Sequence, residues 1–150
     1  MKNCKKIKTT DGGAPIGEKL NFASKEAYNR LRTNVLFSLV EDGAKVVGIS
    51  SACPQEGKST VSMNLAYSLG EAGYKVLLID ADMRRPSICT TLELPRALGL
   101  SNALTSDQEI PLHKDILHEN VSIMTSGDIP PNPSALIGSV KMRDLINKFK

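Results

Sequence analysis

The chain has 150 residues, a typical length for one domain, and its 41% hydrophobic and 23% charged residues match ordinary globular usage. These values exclude a disordered or fibrous chain, and no apolar run approaches the roughly 18–20 residues of a membrane-spanning helix. The formal net charge of +3 conceals a basic N-terminal part, residues 1–40, with eight Lys and Arg against three acidic residues. With three Phe, three Tyr and no Trp, the chain lacks a base-stacking platform, so we expect no nucleic-acid partner.

The first predicted elements are an irregular leader and a helix. Residues 1–23 are basic and are interrupted by glycine and proline, which predicts a flexible leader. Ser24 suits a helix N-cap, and apolar residues then recur at helical spacing as far as Leu39. We therefore expect one domain over residues 24–150. The three cysteines form no CxxC pair, which excludes a disulfide framework and fits a reducing cytoplasm.

Beyond this helix, short β-branched runs alternate with helical patterns. The predicted strands are 45–51, 75–80 and 121–125, and the predicted helices are 58–69 and 134–149. Loops with one or two brief helices are expected over residues 83–120. Strands that alternate with helices predict an α/β fold, with a mostly parallel sheet flanked by helices.

A phosphate-binding loop is the strongest motif in the chain. Residues 52–60 read ACPQEGKST, the P-loop pattern GxxxxGK[ST] with alanine in place of its first glycine. Such a loop aims backbone N–H groups and the positive end of a helix dipole at a phosphate. The lysine adds a point charge, and the serine hydroxyl is suited to Mg²⁺. The predicted nucleotide-binding residues are Gln55, Glu56, Gly57, Lys58, Ser59 and Thr60.

Two carboxylates, Asp80 and Asp82, follow the second predicted strand in VLLIDADMRRP. Open α/β sheets bind ligands at the carboxyl ends of their strands. Mg²⁺ held by one or two carboxylates together with substrate phosphates suits this position, so Ser59, Asp80 and Asp82 are the expected metal ligands. Either aspartate is also suited to orient or deprotonate an attacking hydroxyl. Arg84 is assigned to the nucleotide-binding set, where it would steady phosphate charge, with a solvated loop position as the alternative.

These motifs resemble the bacterial tyrosine kinases of capsule and exopolysaccharide export. Residues 26–34 (EAYNRLRTN) are similar to the N-terminal helix motif of that family, and residues 126–137 (SGDIPPNPSALI) to its SGxxPPNP segment. The resemblance covers about residues 20–150 and implies a P-loop NTPase fold related to that of chromosome-partitioning ATPases. It implies an autophosphorylating protein-tyrosine kinase that uses ATP and Mg²⁺, with Lys58, Asp80 and Asp82 as catalytic residues.

The resemblance also implies partners and a location. We expect a cytoplasmic protein at the inner face of the plasma membrane, docked to a membrane-spanning activator of chain-length control and acting on protein tyrosines. Glu26, Arg30 and Arg32 are the candidates for self-association. The family motif is written ExxRxxR, whereas here Asn29 holds the middle site and Arg30 comes one residue late. Glu26 and Arg30 equally suit a plain i, i+4 ion pair within one helix.

The chain departs from the family pattern at several points. Gln55 stands where glycine is usual, and Ala135 replaces a common glutamate. The sequence stops before the family's next strand with its Walker B aspartate, and the C-terminal tyrosine cluster is missing. We therefore expect a truncated domain that is a poor kinase, with the strand at 45–51 lacking a neighbour. A partitioning-type ATPase acting as a nucleotide-dependent binding switch is the alternative, and a catalytically weak remnant is another.

Overall fold

The computed structural model describes residues 14–39, 43–95, 98–106 and 108–150. In these ranges the helices are α1 (Phe22–Ser38), α2 (Lys58–Glu71), α3 (Ile88–Thr91), α4 (Leu100–Thr105), α5 (Pro133–Ile137) and α6 (Val140–Phe149). The strands are β1 (Val76–Ile79), β2 (His113–Lys114) and β3 (Val121–Met124). A single 3₁₀ turn, Gly17–Lys19, precedes α1. None of the described helices is both long enough and apolar enough to cross a membrane.

The described strands form one small mixed sheet in the order β1-β3-β2. β1 and β3 are parallel, with Val76 opposite Val121 and Ile79 opposite Met124. This pairing confirms the α/β prediction and two of the predicted strands. β2 pairs antiparallel with β3. It is not predicted, because a strand of two residues is too short to show any alternation of apolar and polar side chains.

The main core lies between α2 and the β1–β3 pair. Met63 and Ala66 of α2 pack with Leu78, Val121 and Ile123 of the sheet in one buried cluster. This packing fixes the N-terminus of α2 relative to the carboxyl ends of the strands. Burial of such side chains contributes about 1.5–3 kcal/mol each for the larger ones, so the sheet and α2 form the rigid base of the site.

Close approach of α2 to the sheet depends on a glycine. A Cβ added at Gly70 would lie 2.8 Å from Cγ2 of Val121 and 3.1 Å from Nδ1 of His118. Gly70 is also buried within the helix rather than beyond its end, because α2 continues to Glu71. Gly70 therefore serves as a packing contact between α2 and the sheet.

The predicted strand over residues 45–51 is wrong. Residues 44–51 form no regular structure, and Val46 and Val47 are 54% and 45% exposed rather than buried. A strand needs a neighbour that pairs with its backbone N–H and C=O groups. In the described part of the chain, the sheet of β1, β3 and β2 does not reach this segment. The segment is an irregular connection into the phosphate loop.

Part of the expected leader is packed against the domain. Ile16 is 1% exposed and belongs to the main core. The Gly17 N–H donates to Oδ1 of Asn64 on α2 at 2.9 Å. The packed part of the chain therefore begins before residue 24. Residues 1–13 lie outside the described residues, and a flexible leader stays a prediction for them.

Two helix boundaries differ from the predictions because polar side chains cap the helices at other positions. The N-cap of α1 is Asn21 and not Ser24, since Asn21 Oδ1 accepts the Ser24 N–H at 2.8 Å. The single helix predicted over 134–149 is divided into α5 and α6. Ser139 starts the second helix, where its hydroxyl accepts a first-turn N–H at 3.2 Å. The helical pattern alone does not show this interruption.

Candidate nucleotide-binding site

The phosphate loop connects the irregular segment 44–51 to α2 through two left-handed residues. Gly57 is the N-cap of α2 and has a φ of 89°. Gln55 has a φ of 64°. Glycine adopts this region freely, whereas a residue with a Cβ loses about 1–2 kcal/mol there. Gln55, which departs from the glycine of the resembled motif, therefore stores backbone strain in the loop.

The lysine of the motif folds back over the loop. Lys58 Nζ donates to Ser51 Oγ at 3.1 Å and to the Cys53 carbonyl oxygen at 3.4 Å. Its ammonium group therefore lies above the loop backbone, on the side where a P-loop receives phosphate. The predicted role of Lys58 in binding phosphate stays a prediction.

Glu56 occupies one of the backbone donors of the loop. Its Oε2 accepts the Cys53 N–H at 3.0 Å. This hydrogen bond is the main cause that lowers the pKa of Glu56, with further lowering from the Ser51 hydroxyl and from the Lys58 charge. The side chain is exposed and ionised at neutral pH. A negative charge therefore lies at the mouth of the phosphate cradle.

Asp80 ends β1 and is buried, with 4% of its surface exposed. Its two carboxylate oxygens accept the N–H groups of Asp82 at 3.1 Å and Ile88 at 3.3 Å. Burial raises the pKa of Asp80, and these two hydrogen bonds oppose the rise. The carboxylate thus holds together the loop that runs from β1 to α3.

Asp82 and Arg84 lie on the exposed part of that loop. Asp82 Oδ1 accepts the Arg85 N–H at 3.0 Å, and the residue is exposed. Arg84 Nη2 donates to Ser134 Oγ on α5 at 3.1 Å. This contact ties Arg84 to α5, so its predicted contact with a nucleotide stays a prediction.

A serine outside every motif joins the two halves of the site. Ser87 Oγ lies 2.6 Å from Ser59 Oγ, in the first turn of α2. The next residue, Ile88, donates its backbone N–H to Oδ2 of Asp80 at 3.3 Å. Ser59 and Asp80 are therefore linked through the adjacent residues Ser87 and Ile88. Sequence reasoning missed Ser87, because a serine after the DADMRRP segment has no spacing that indicates contact with the phosphate loop.

The donors gathered here suit a magnesium ion that arrives with a nucleotide. No group of three or more His, Cys, Asp or Glu within the described ranges is arranged to hold a metal by itself. Mg²⁺ takes oxygen ligands, keeps several waters and commonly uses one or two carboxylates with substrate phosphates. The hydroxyl of Ser59 and the carboxylates of Asp80 and Asp82 fit that ligand set. Thr60 follows on α2 and is half-buried.

The α1 residues expected at a subunit interface divide into two groups. Arg32 Nη1 donates to the Ser68 carbonyl oxygen at 2.7 Å and to Asn29 Oδ1 at 3.1 Å, so it joins α1 to α2. Glu26 accepts from Asn29 Nδ2 at 3.3 Å, and both Glu26 and Arg30 are exposed. Arg32 thus has an intramolecular role, and Glu26 and Arg30 remain on the surface.

A family of P-loop NTPases matches most of the chain. Residues 43–149 fit the ParA family model, described as the NUBPL iron-transfer P-loop NTPase. That range includes the phosphate loop, α2 and the whole sheet. The chain belongs to this family. The predicted P-loop NTPase fold is therefore confirmed, and the fold is one that binds nucleotides.

Similar proteins within this fold are bacterial tyrosine kinases. Tyrosine-protein kinase YwqD of Bacillus subtilis is 42% identical over 121 residues, which cover 80% of this chain and 51% of that protein. The kinase domain of Escherichia coli tyrosine kinase ETK superposes with a TM-score of 0.76 at 32% identity, covering 83% of this chain and 49% of that one. The chimerical protein CapA2B2 superposes with a TM-score of 0.73 at 36% identity, covering 83% of this chain and 55% of that one.

The resemblance to a bacterial tyrosine kinase domain is confirmed by these comparisons. The chain spans about half the length of the curated relative and of the two solved structures named above. The matched part of this P-loop NTPase includes the phosphate loop and the acidic strand end. The individual roles of its site residues are not tested by similarity and stay predictions.

Proposed function

We propose that this P-loop NTPase carries the nucleotide site of an ATP-dependent protein-tyrosine kinase of capsular or exopolysaccharide synthesis. The observation that carries the proposal is the arrangement around α2. The loop of Gly57, Lys58 and Ser59 opens the helix, and Asp80, directly after β1, is connected to it through the adjacent residues Ser87 and Ile88. The similarity to kinases named for tyrosine supports the choice of acceptor.

Phosphoryl transfer depends mainly on positioning and on neutralisation of charge. In the proposed complex the loop N–H groups and Lys58 bind the ATP phosphates. Ser59, Asp80 and Asp82 would hold Mg²⁺, which would neutralise charge at the phosphates. Asp80 or Asp82 orients the attacking tyrosine hydroxyl.

In this proposal the phosphate acceptor is a tyrosine of another protein molecule, either a partner or a second copy of the kinase. Tyr67 is 5% exposed within α2 and cannot reach a nucleotide without unfolding. Tyr28 is half-buried on α1. Tyr74 is 48% exposed, but it lies in the turn after α2, at the end of the helix opposite the phosphate loop.

A membrane-spanning activator at the inner face of the plasma membrane belongs to the same proposal and rests on the family resemblance. Self-association through α1 belongs to it as well. The exposed Glu26 and Arg30 support this surface, and Phe22 and Phe37 on the same helix are each 81% exposed. Arg32 would contribute by holding α1 in place, since it bonds to α2.

A nucleotide-dependent binding switch that phosphorylates nothing is the second candidate. The match to the ParA family model is compatible with this candidate, because that match covers the phosphate loop and sheet without distinguishing kinases from other NTPases. Both candidates bind nucleotide, and they differ in where the γ-phosphate goes.

A transfer assay separates the candidates. The chain is incubated with γ-labelled ATP, Mg²⁺ and a tyrosine-containing copolymer, and phosphotyrosine and released phosphate are measured. We expect slow phosphotyrosine formation that is lost in Lys58→Met. Phosphate release without phosphotyrosine would favour the switch, and nucleotide binding without either product would indicate a remnant.

A further inference from the structure

Ser87 occupies the N-cap position of α3 but does not act as a cap. Serine at an N-cap ordinarily accepts an N–H from the second or third helical residue, which stabilises the helix by about 1 kcal/mol. Within the described residues, the Ser87 side chain makes no such bond to Ile88–Thr91. Its hydroxyl turns instead to Ser59 Oγ, 2.6 Å away. The contact with Ser59 therefore replaces the usual N-cap hydrogen bond within α3.

The backbone of Ser87 is fixed independently of its hydroxyl. Its carbonyl oxygen accepts the Thr91 N–H at 2.9 Å. The following residue, Ile88, is 3% exposed, and its N–H donates to the buried Asp80 carboxylate at 3.3 Å. These anchors hold the Ser87 hydroxyl opposite the first turn of α2. A substitution that removes only the hydroxyl should leave this backbone in place.

A serine hydroxyl that binds a cation has to present a lone pair and direct its proton elsewhere. A hydroxyl has one proton and two acceptor lone pairs, and it rotates to suit its partners. An acceptor placed beside it selects the rotation in which a lone pair remains available. Ser87 Oγ is at the right distance from Ser59 to be that acceptor.

We propose that Ser87 is a positioning residue for the metal-binding hydroxyl of Ser59. It accepts the Ser59 proton and turns a Ser59 lone pair toward the phosphate loop, so that Mg²⁺ binds better in the nucleotide complex. The inference rests on the proposed function, since it assigns a role to a neighbour of one predicted metal ligand. The sequence motifs assign the site to the phosphate loop and two carboxylates. The proposal adds the Ser87 hydroxyl, which lies in the connection between β1 and α3.

The test compares nucleotide affinity with and without metal. ADP is titrated into the full chain by calorimetry, in excess Mg²⁺ and in EDTA, and the ratio of the two affinities is the readout. We expect Ser87→Ala to lower this ratio roughly three- to tenfold, the effect of one hydrogen bond, with the EDTA affinity unchanged. Ser87→Thr, which keeps a hydroxyl, should restore most of the ratio. Thr90→Ala, an exposed hydroxyl on the same short helix, is the matched control.

A double variant distinguishes positioning from general packing. If Ser87 acts through Ser59, Ser87→Ala should have no further effect on the ratio in a Ser59→Ala background. An unchanged ratio in Ser87→Ala, or equal losses in Mg²⁺ and in EDTA, would overturn the inference. If Ser87→Ala fails to show a cooperative melting transition, Ser87→Cys replaces it under the same criteria. A wild-type chain that binds no ADP contradicts the proposed function itself, which is a separate outcome.

Discussion

Individual residues of the phosphate loop form hydrogen bonds with one another. The Glu56 carboxylate takes the Cys53 N–H, and Lys58 Nζ donates to Ser51 Oγ and to the Cys53 carbonyl oxygen. A phosphate entering the loop would compete with Glu56 for that N–H and for the lysine charge. The loop therefore contains an internal anion as well as the groups that bind an external one.

Neutralising this internal anion should strengthen nucleotide binding. We expect Glu56→Gln to raise ADP affinity a few-fold, because the neutral amide removes charge repulsion and is a weaker competitor for the Cys53 N–H. Titration calorimetry measures the change. Glu71→Gln, an exposed acidic residue at the other end of α2, should leave the affinity unaltered. Weaker binding by Glu56→Gln would show that the carboxylate assists the nucleotide.

The left-handed N-cap of α2 gives a second prediction at this scale. A Cβ at Gly57 would meet no heavy atom of the described residues within 4 Å, so Gly57→Ala tests the backbone conformation alone. With a φ of 89°, the alanine variant should lose about 1–2 kcal/mol of unfolding free energy, measured by urea denaturation. Gly48→Ala also meets no described atom within 4 Å and serves as the control. Equal stability of the two variants would contradict the strain argument.

At the scale of elements, α1 is held on α2 by a small polar network. Asn29 Oδ1 accepts from both Arg32 and the Ser68 hydroxyl, and Arg32 also reaches the Ser68 carbonyl oxygen. Asparagine in the middle of the altered ExxRxxR pattern is therefore the hub of an intramolecular contact. This contact orients the exposed side of α1.

Removal of Arg32 should affect stability, and removal of Arg30 should not. Arg32→Ala removes the charged donor shared by Asn29 Oδ1 and the Ser68 carbonyl oxygen, so we expect a loss of about 1–3 kcal/mol in unfolding free energy. Arg30 is exposed, and Arg30→Ala should change stability by less than about 0.5 kcal/mol. Chemical denaturation of both variants tests this difference. Indistinguishable curves would show that the network does not stabilise the α1–α2 contact.

The elements that sequence predicts well are those that local signals determine. The apolar pattern of 58–69 gives α2, and the β-branched runs give β1 and β3, because each is buried against a described neighbour. The segment 45–51 has the same composition but no such neighbour in the sheet, so composition alone predicts it wrongly. The caps at Asn21 and Ser139, and the contact of Ser87, depend on side-chain geometry that spacing does not encode.

For the whole molecule, the exposed segment before the phosphate loop has consequences for solubility. Val46 and Val47 line an open apolar groove with Val35 and Leu39 of the α1 end. Exposed β-branched side chains on a backbone segment that pairs with no described strand favour association between chains. The groove is therefore the part of the described surface where we expect self-aggregation to begin.

Charge placed on this segment should reduce aggregation without affecting the site. We expect Val46→Lys to lower the light scattering of concentrated protein, because it introduces a charge at a side chain that is already 54% exposed. The same substitution at the distant Val140, which is 66% exposed, is the control for a general effect of added charge. Equal reductions from both variants would mean that the groove has no special role.

The central claim is that this chain binds nucleotide through its phosphate loop, and calorimetry tests it most directly. Mg²⁺–ATP is titrated into wild type, Lys58→Met and Lys45→Met, the last removing an exposed lysine that precedes the loop. We expect wild type and Lys45→Met to bind alike and Lys58→Met to lose at least about tenfold in affinity, since its charge is placed on the phosphates. Equal affinity in wild type and Lys58→Met would contradict the assignment of the phosphate site.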